Sequence, residues 1–250
     1  RSDSKIIESE FRDLDIESET ETISVSLQQP LLRSPNRELN LGFNLDIRRR
    51  RSFLQDDPFA FPLSGQNGES NATVLRFSQD WVNRTAKSVL AARSQFNFGI
   101  DAFNATINNI EPDAKFFTWQ GQFQWVRQIS SRNLLVARIG GQFTSEPLLS
   151  LEQFSLGGVS TIRGYQENQL IADSGFLGSL EFRIPLTANP NTLQLIPFFD
   201  FGTGWNNKEP NPDPSTLASL GLGLILSVAS LLNLNLNYGI PFLSVDDDRD

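Results

Sequence analysis

The chain has 250 residues, a formal net charge of −8, and no cysteine, histidine or methionine. Without these side chains it can form no disulfide, no thiolate or imidazole metal site and no nucleophile of the Cys or Ser-His type, so we expect neither an enzyme nor a cofactor. The negative charge argues against a nucleic-acid partner, and the sequence has no phosphate loop for a nucleotide.

Alternation of apolar and polar residues with a period of two is the main signal along the chain, and it predicts β-strands with one apolar and one polar face. We count about eleven such runs. The first, Lys5 to Leu14, is poorly patterned, whereas in Leu232 to Phe242 apolar residues alternate with asparagines, Gly239 and Pro241. Other clear runs lie between these two, at residues 39–47, 119–129, 176–186 and 220–226.

The lengths of the runs and of their connections indicate a membrane protein. Most runs have about nine to thirteen residues, longer than the usual five to six of a globular strand and close to a tilted strand that crosses a bilayer. Short links are expected near residues 30–36, 84–87, 130–132, 187–192 and 229–231, and long polar links near 52–71, 101–115, 145–173 and 204–215. This alternation is typical of a transmembrane antiparallel β-barrel.

A soluble β-sandwich or barrel is the alternative, because its strands also alternate. The strand length favours the membrane barrel, and so do the glutamines and asparagines of the polar face, which suit a wet lumen better than a surface facing bulk water. Regular alternation of long and short loops is also not expected of Greek-key connections. We therefore predict the fold class as all-β, a transmembrane antiparallel β-barrel.

The end of the chain predicts an incomplete barrel. The last clear strand ends near Phe242 and runs into the acidic segment Val245 to Asp250, which resembles the start of another long loop. An odd number of strands cannot close an antiparallel barrel with both ends on one side, and unpaired edges are unfavourable in lipid. We expect residues 1–250 to be one fragment of a C-terminal β-barrel domain, with at least one strand missing at the C-terminus and several at the N-terminus.

Two carboxylates are predicted to meet on the inner wall. Parity places Glu181 and Arg183 on the polar face of one strand and Asp200 on the polar face of the next. Folding this hairpin about positions 189–191 sets Glu181 opposite residues 197–201. The two acids would repel each other, and a guanidinium between them would satisfy both. Arg183 is one local candidate for that guanidinium.

A second candidate, Arg163, lies in the longest loop, residues 145–173, and could reach the acids only if that loop folds back into the barrel. It belongs to the segment LGGVSTIRGYQENQL at 156–170. The glycines of this segment would allow a sharp turn and close backbone packing, and Tyr165 would pack against the wall.

Three motifs together resemble a known family. They are Leu156-Gly157-Gly158 with Ile162-Arg163-Gly164-Tyr165 in the loop, Phe198-Phe199-Asp200-Phe201-Gly202 in a strand, and Gly178 to Pro185 between them, which contains Glu-Phe-Arg-x-Pro. They are similar to the loop and strand motifs of the haemolysin secretion/activation (ShlB/FhaC/HecB) family, the outer-membrane transporters of two-partner secretion, with isoleucine in place of the usual valine before Arg163. The superfamily includes barrel-assembly insertases and the chloroplast import channel.

The resemblance implies a barrel of about sixteen strands, of which our about eleven runs would be roughly the fifth to the fifteenth. It implies that the loop folds into the lumen and that Arg163 pairs with Asp200 and with Glu181. The family's periplasmic POTRA modules and plug helix are absent from this chain. We expect a Gram-negative outer membrane as the location.

The resemblance also implies the function: export of a haemolysin- or adhesin-like partner protein through the lumen. The expected partners are that secreted protein and the outer-membrane lipid and lipopolysaccharide, whose phosphates Arg48 to Arg51 could contact unless this run is only a solvated strand end. A barrel-assembly insertase or plastid-import channel is the alternative within the superfamily, and a passive porin or receptor is the alternative from another class. The Arg163–Asp200 pair could be a static latch or a switch.

Overall fold

The computed structural model describes residues 2–5, 16–54, 57–58, 69–108, 112–228 and 232–243. The strands of these residues are β1 (Ser2–Lys5), β2 (Ile16–Arg33), β3 (Arg37–Leu54), β4 (Asp57–Pro58), β5 (Glu69–Arg84), β6 (Ser88–Ile100), β7 (Phe117–Gln128), β8 (Leu134–Thr144), β9 (Phe154–Leu156), β10 (Leu170–Ala172), β11 (Ser174–Pro185), β12 (Leu193–Trp205), β13 (Thr216–Val228) and β14 (Leu232–Pro241). Within the described ranges, no helix is long and apolar enough to span a bilayer.

Twelve of the strands form one sheet in the order β1-β2-β3-β5-β6-β7-β8-β11-β12-β13-β14, with β4 against β3. Each strand runs antiparallel to its neighbours. Within the described residues the sheet is open, with β1 and β14 at its two ends. Strands β9 and β10 form a small separate hairpin. The predicted all-β fold, a partial wall of an antiparallel barrel, is confirmed.

The connections follow the predicted alternation of short and long. Links such as 85–87 and 129–133 are short, whereas 145–173 is long. The first predicted run, Lys5 to Leu14, lies mostly outside the described residues, and so do the link 229–231 and the segment 245–250.

Most of the main strands have the predicted length of about nine to thirteen residues, but β2, β3 and β5 are longer, with 18, 18 and 16 residues. The reason is a ladder of charges that continues the pairing beyond the apolar stretch. Glu19 lies opposite Arg51, and Glu21 lies opposite Arg49. The Arg51 guanidinium also contacts the Glu69 carboxylate at 3.0 Å. Opposite charges directly across a strand pair stabilise the pairing, so the arginine run continues β3 and does not begin a loop.

The two faces of the sheet differ in character. The outer face, opposite the loop 145–173, exposes large apolar side chains of successive strands. Examples are Val25, Leu27, Phe43, Leu75, Ile139, Leu180, Phe199, Leu222 and Leu236. The inner face carries polar residues such as Gln95, Gln120 and Gln142, which form a hydrogen-bonded row across β6, β7 and β8. The parity predicted from the sequence is therefore the parity of the wall.

Two buried apolar clusters lie between the inner face and the loops that cover it. One contains Ala72, Val74, Ala114, Phe116, Leu148 and Leu149, and the other contains Leu156, Ile162, Leu170, Ala172 and Leu217. Both clusters include residues of the loop 145–173. This loop therefore supplies much of the core and stays packed against the inner wall.

Candidate functional site

The loop 145–173 folds back onto the inner face, and its tip, residues 157–169, is held together by its own hydrogen bonds. The hairpin β9–β10 forms the stem. At the tip, the Thr161 hydroxyl donates to the carbonyl oxygen of Gly157 at 2.6 Å and accepts from the Gly157 amide at 2.8 Å. The Val159 amide donates to the Glu167 carboxylate at 3.0 Å. These hydrogen bonds join residues of the tip to each other and do not involve the wall.

Glycine lets the tip lie directly on the backbone of β14. Gly164 has a φ of 96°, in a region that side chains disfavour. A Cβ atom at Gly164 would lie 2.9 Å from the carbonyl carbon of Gly239, and a Cβ atom at Gly239 would lie 2.7 Å from the carbonyl carbon of Arg163. Neither position leaves room for a side chain. Gly157 and Gly158 also have positive φ values, of 111° and 84°.

Close packing at the tip brings Arg163 against Asp200 of β12 in a bidentate contact. Its Nε donates to Asp200 Oδ2 at 2.7 Å, and its Nη2 donates to Asp200 Oδ1 at 2.8 Å. The Arg163 backbone amide donates to the same Oδ2 at 3.2 Å. Paired N–H donors on one carboxylate fix both distance and orientation. The pairing implied by the family resemblance is present in the structure.

Glu181 of β11 accepts from three arginines. Arg163 Nη1 donates to its Oε1 at 3.0 Å, and Arg138 Nη1 donates to the same oxygen at 3.1 Å. Arg183 Nη2 donates to Oε2 at 3.0 Å. The register sets Glu181 opposite Phe198, within the predicted span of 197–201. Of the two guanidinium candidates, Arg163 bridges both acids, whereas Arg183 contacts Glu181.

The charged groups of this network are buried, and their burial makes the loss of any one partner costly in stability. Asp200 is 0% exposed and Glu181 is 4% exposed. The Arg163 guanidinium lies over the ring of Phe198, 3.5 Å from its centroid. Burial alone would lower the pKa of Arg163, but hydrogen bonds and charge interactions with Asp200 and Glu181 raise it. Removing one partner of a buried pair typically costs about 3–5 kcal/mol, because the other charge is left uncompensated.

The remaining motif residues fasten the tip around the arginine. Leu156 and Ile162 pack into the space left by Gly202, where a Cβ atom would lie 2.9 Å and 3.2 Å from their methyl groups. The Tyr165 hydroxyl lies 2.9 Å from the carbonyl oxygen of Ala218 and 3.1 Å from that of Leu243. The structure therefore brings five predicted loop residues against β11 to β14, next to the predicted strand residues; they are Leu156, Ile162, Arg163, Gly164 and Tyr165.

Sequence reasoning missed three contributors to this site. Arg138 and Ser179, whose hydroxyl lies 3.3 Å from Arg163 Nη2, could be found only from the register of β8, β11 and β12. Gly239 lies on the polar face of its strand, and the alternation pattern gave no sign that a loop backbone would lie against it.

The described residues thus form an antiparallel wall of long strands, and an arginine-bearing loop is folded onto its inner face. The model of the haemolysin secretion/activation protein ShlB/FhaC/HecB family matches residues 1–226. The chain therefore belongs to this family of two-partner secretion transporters.

Other comparisons agree on the fold. The chain is 24% identical over 200 residues to the heme/hemopexin transporter protein HuxB of Haemophilus influenzae. The aligned region covers 78% of this chain and 34% of HuxB, so the chain spans about a third of the length of this relative. CdiB from Escherichia coli has a TM-score of 0.79 at 20% identity, covering 98% of this chain and 46% of CdiB. BamA from Haemophilus ducreyi, solved without POTRA domains 1–3, has a TM-score of 0.69 at 15% identity, covering 98% of this chain and 54% of that BamA chain.

Proposed function

We propose that this chain is part of an outer-membrane translocator that exports a partner protein through its barrel lumen. The observation that carries the proposal is the loop 145–173, which occupies the inner face and is fastened there by Arg163 through two buried carboxylates. Membership of the two-partner secretion family supports the translocator role. The haemolysin- or adhesin-like nature of the cargo is our finer proposal.

The inner wall suits passage of an unfolded polypeptide. Its polar groups include the half-buried amides of Gln95 and Gln120 and the exposed hydroxyl of Ser26, and such groups can exchange hydrogen bonds with any backbone without selecting one sequence. The sequence has no phosphate loop, and we propose that the barrel works without nucleotide and without enzymatic chemistry. Folding of the cargo outside the cell would then drive export.

The outer face suits contact with lipid. Its exposed leucines, valines and phenylalanines would meet the hydrocarbon, as in outer-membrane barrels. The proposed location is the outer membrane of a Gram-negative-type bacterium, with lipid and lipopolysaccharide around the wall and a plastid envelope as the alternative. Residues 1–250 would form part of one C-terminal barrel domain, and the plug helix and POTRA modules would lie elsewhere in the protein.

Secretion of the partner protein by cells that express the full-length transporter tests the proposal. We expect Arg163→Ala to abolish or strongly reduce secretion, because the loop loses its charged anchor. Arg127→Ala is the matched control, since Arg127 stacks on Trp125 at 5.5 Å and does not touch the loop. Secretion by Arg163→Ala at the wild-type level would contradict the proposed role of the site.

Ion conductance separates the translocator from the other candidates. A translocator is expected to lose secretion in Arg163→Ala while its lumen still conducts ions. Conductance by the wild-type barrel without any cargo export would favour the passive porin or receptor. Loss of outer-membrane barrel assembly on deletion, with no secreted partner affected, would favour the insertase.

A further inference from the structure

A second buried charge cluster fastens the other end of the same loop. Glu152, which precedes β9, accepts from Arg76 Nη2 at 2.8 Å and 2.9 Å through its two carboxylate oxygens. Arg48 Nη1 donates to Glu152 Oε1 at 3.1 Å. Arg76 Nε also donates to Asp46 Oδ2 at 2.7 Å. The loop thus supplies the acid at this end, and β3 and β5 supply the arginines.

This cluster is as buried as the Arg163 network. The side chains of Glu152, Arg76 and Asp46 are 3%, 9% and 6% exposed. Asp46 is further held by the Ser24 hydroxyl and the Asn44 amide, each at 2.6 Å. Charges buried to this degree are costly unless they are paired, so their pairing constrains where residue 152 can lie.

Packing and a bridging amide support the same end of the loop. Leu148 and Leu149 are fully buried against Ala72 and Val74 of β5. On β8, Gln142 Nε2 donates to the backbone carbonyl of Glu152 at 2.8 Å and to that of Asp173 at 3.0 Å. One buried amide therefore holds both legs of the β9–β10 hairpin. We call residues 145–152 the base of the loop, as distinct from its tip.

The two anchors lie on separate parts of the wall. The charge pairs of Glu152 are with β3 and β5, whereas those of Arg163 are with β11 and β12. Strands β6, β7 and β8 lie between these two pairs of strands in the sheet. Between the anchors the chain forms a hairpin stem whose strands pair with each other. The tip also carries internal hydrogen bonds that do not involve the wall.

We propose that Glu152 is a positioning residue that holds the base of the loop independently of Arg163. When the tip is released, the hairpin swings about its legs at residues 152 and 173, and the base stays at the mouth of the barrel. The tip then no longer obstructs the lumen, whereas the base remains inside it. The position of the base therefore sets the width of the opened path. This consequence rests on the proposed translocator function, whereas the anchoring itself does not.

Distances between spin labels in the full-length protein, reconstituted in liposomes without cargo, test this proposal. The chain has no native cysteine, so introduced cysteines here carry the labels. Val159 at the tip and Ser150 at the base, both exposed, are each paired with Ser131 in the β7–β8 turn. We expect Arg163→Gln to broaden only the Val159–Ser131 distances and Glu152→Gln to broaden only the Ser150–Ser131 distances.

Two further substitutions make the result specific. Glu146→Gln is the matched control, because the Glu146 carboxylate of the same base accepts from neutral groups, the Ser145 and Thr144 hydroxyls and the Phe117 amide, which a glutamine can also accept from. It should leave both distances unchanged. Arg76→Gln should reproduce the Glu152→Gln result, whereas Arg76→Lys, which keeps the charge, should restore much of the wild-type distribution.

Two results would overturn the proposal. In one, Arg163→Gln displaces Ser150 as far as Val159, so the loop moves as a single piece. In the other, Glu152→Gln and Arg76→Gln both leave the Ser150 distances at their wild-type values. Because no cargo is present, either result is distinct from a failure of the proposed function, which is measured by secretion.

Discussion

The tip and the base of the loop 145–173 use opposite polarities on the same wall. At the tip the loop supplies Arg163 and the wall supplies two acids, whereas at the base the loop supplies Glu152 and the wall supplies Arg76 and Arg48. A mispaired loop would place like charges together, and such contacts are costly. The opposite polarities thus fix the register of the loop as well as its attachment.

The largest expected effect is at Asp200, whose loss leaves Arg163 with Glu181 as its remaining carboxylate. Asp200→Asn should destabilise the folded barrel by about 3–5 kcal/mol, because a buried guanidinium loses its bidentate partner. Urea unfolding in lipid vesicles measures this loss. Asp80→Asn is the control, since Asp80 pairs with Arg93 at 3.5 Å near the surface and should cost at most about 1 kcal/mol. Equal losses of unfolding free energy in Asp200→Asn and Asp80→Asn would show that the buried pair of Asp200 contributes no more than an exposed one.

The next effect is steric and concerns the tip alone. Gly239→Ala places a methyl group 2.7 Å from the Arg163 backbone, which should push the tip off β14 at a cost of about 1–3 kcal/mol. At Gly140, on the inner face of β8, a methyl group would meet Leu177 at an ordinary 3.5 Å. Gly140→Ala should therefore be nearly neutral in the same unfolding assay. A tip that tolerates Gly239→Ala would not lie on β14 as described.

A smaller effect is expected from the Tyr165 hydroxyl. Tyr165→Phe removes a group that accepts from the amides of Ala218 and Leu243 at 3.3 Å, at a cost of about 1 kcal/mol. Hydrogen exchange should speed up at these two amides. Tyr238→Phe, on the exposed outer face, should leave their exchange unchanged. Unaltered exchange in Tyr165→Phe would show that the hydroxyl does not fasten the tip.

The smallest effect is at the rim of the network. Arg183 contacts only one oxygen of Glu181 and is 28% exposed, so Arg183→Gln should cost about 0–1 kcal/mol. The same unfolding assay checks this value. A loss as large as that of Asp200→Asn would mean that Arg183, and not Arg163, neutralises Glu181.

Much of the wall could be predicted, because a period of two fixes the face of every residue once a strand is recognised. Asp200 and Glu181 were placed on the inner face in this way, and a short hairpin link set their depth to within a few residues. The extra length of β2 and β3 could not be predicted, since it depends on charge pairs such as Glu19 with Arg51 across two strands.

The long loop marks the limit of sequence reasoning. Its motif, centred on Arg163, could be connected to Asp200 only through the resemblance to a family. Glu152 and Arg76 are 76 residues apart, and no local pattern relates them. Their contact depends on how a loop of nearly thirty residues crosses three strands, which periodicity does not describe.

Charge reversal tests whether Arg163 fastens the loop by pairing directly with Asp200. Secretion of the partner protein is measured for Arg163→Asp, for Asp200→Arg and for both changes together in the full-length transporter. Each single reversal should abolish secretion, because it places like charges together in a buried site. The double reversal should restore a measurable share of it. A double variant that secretes no more than the weaker single variant would contradict direct pairing.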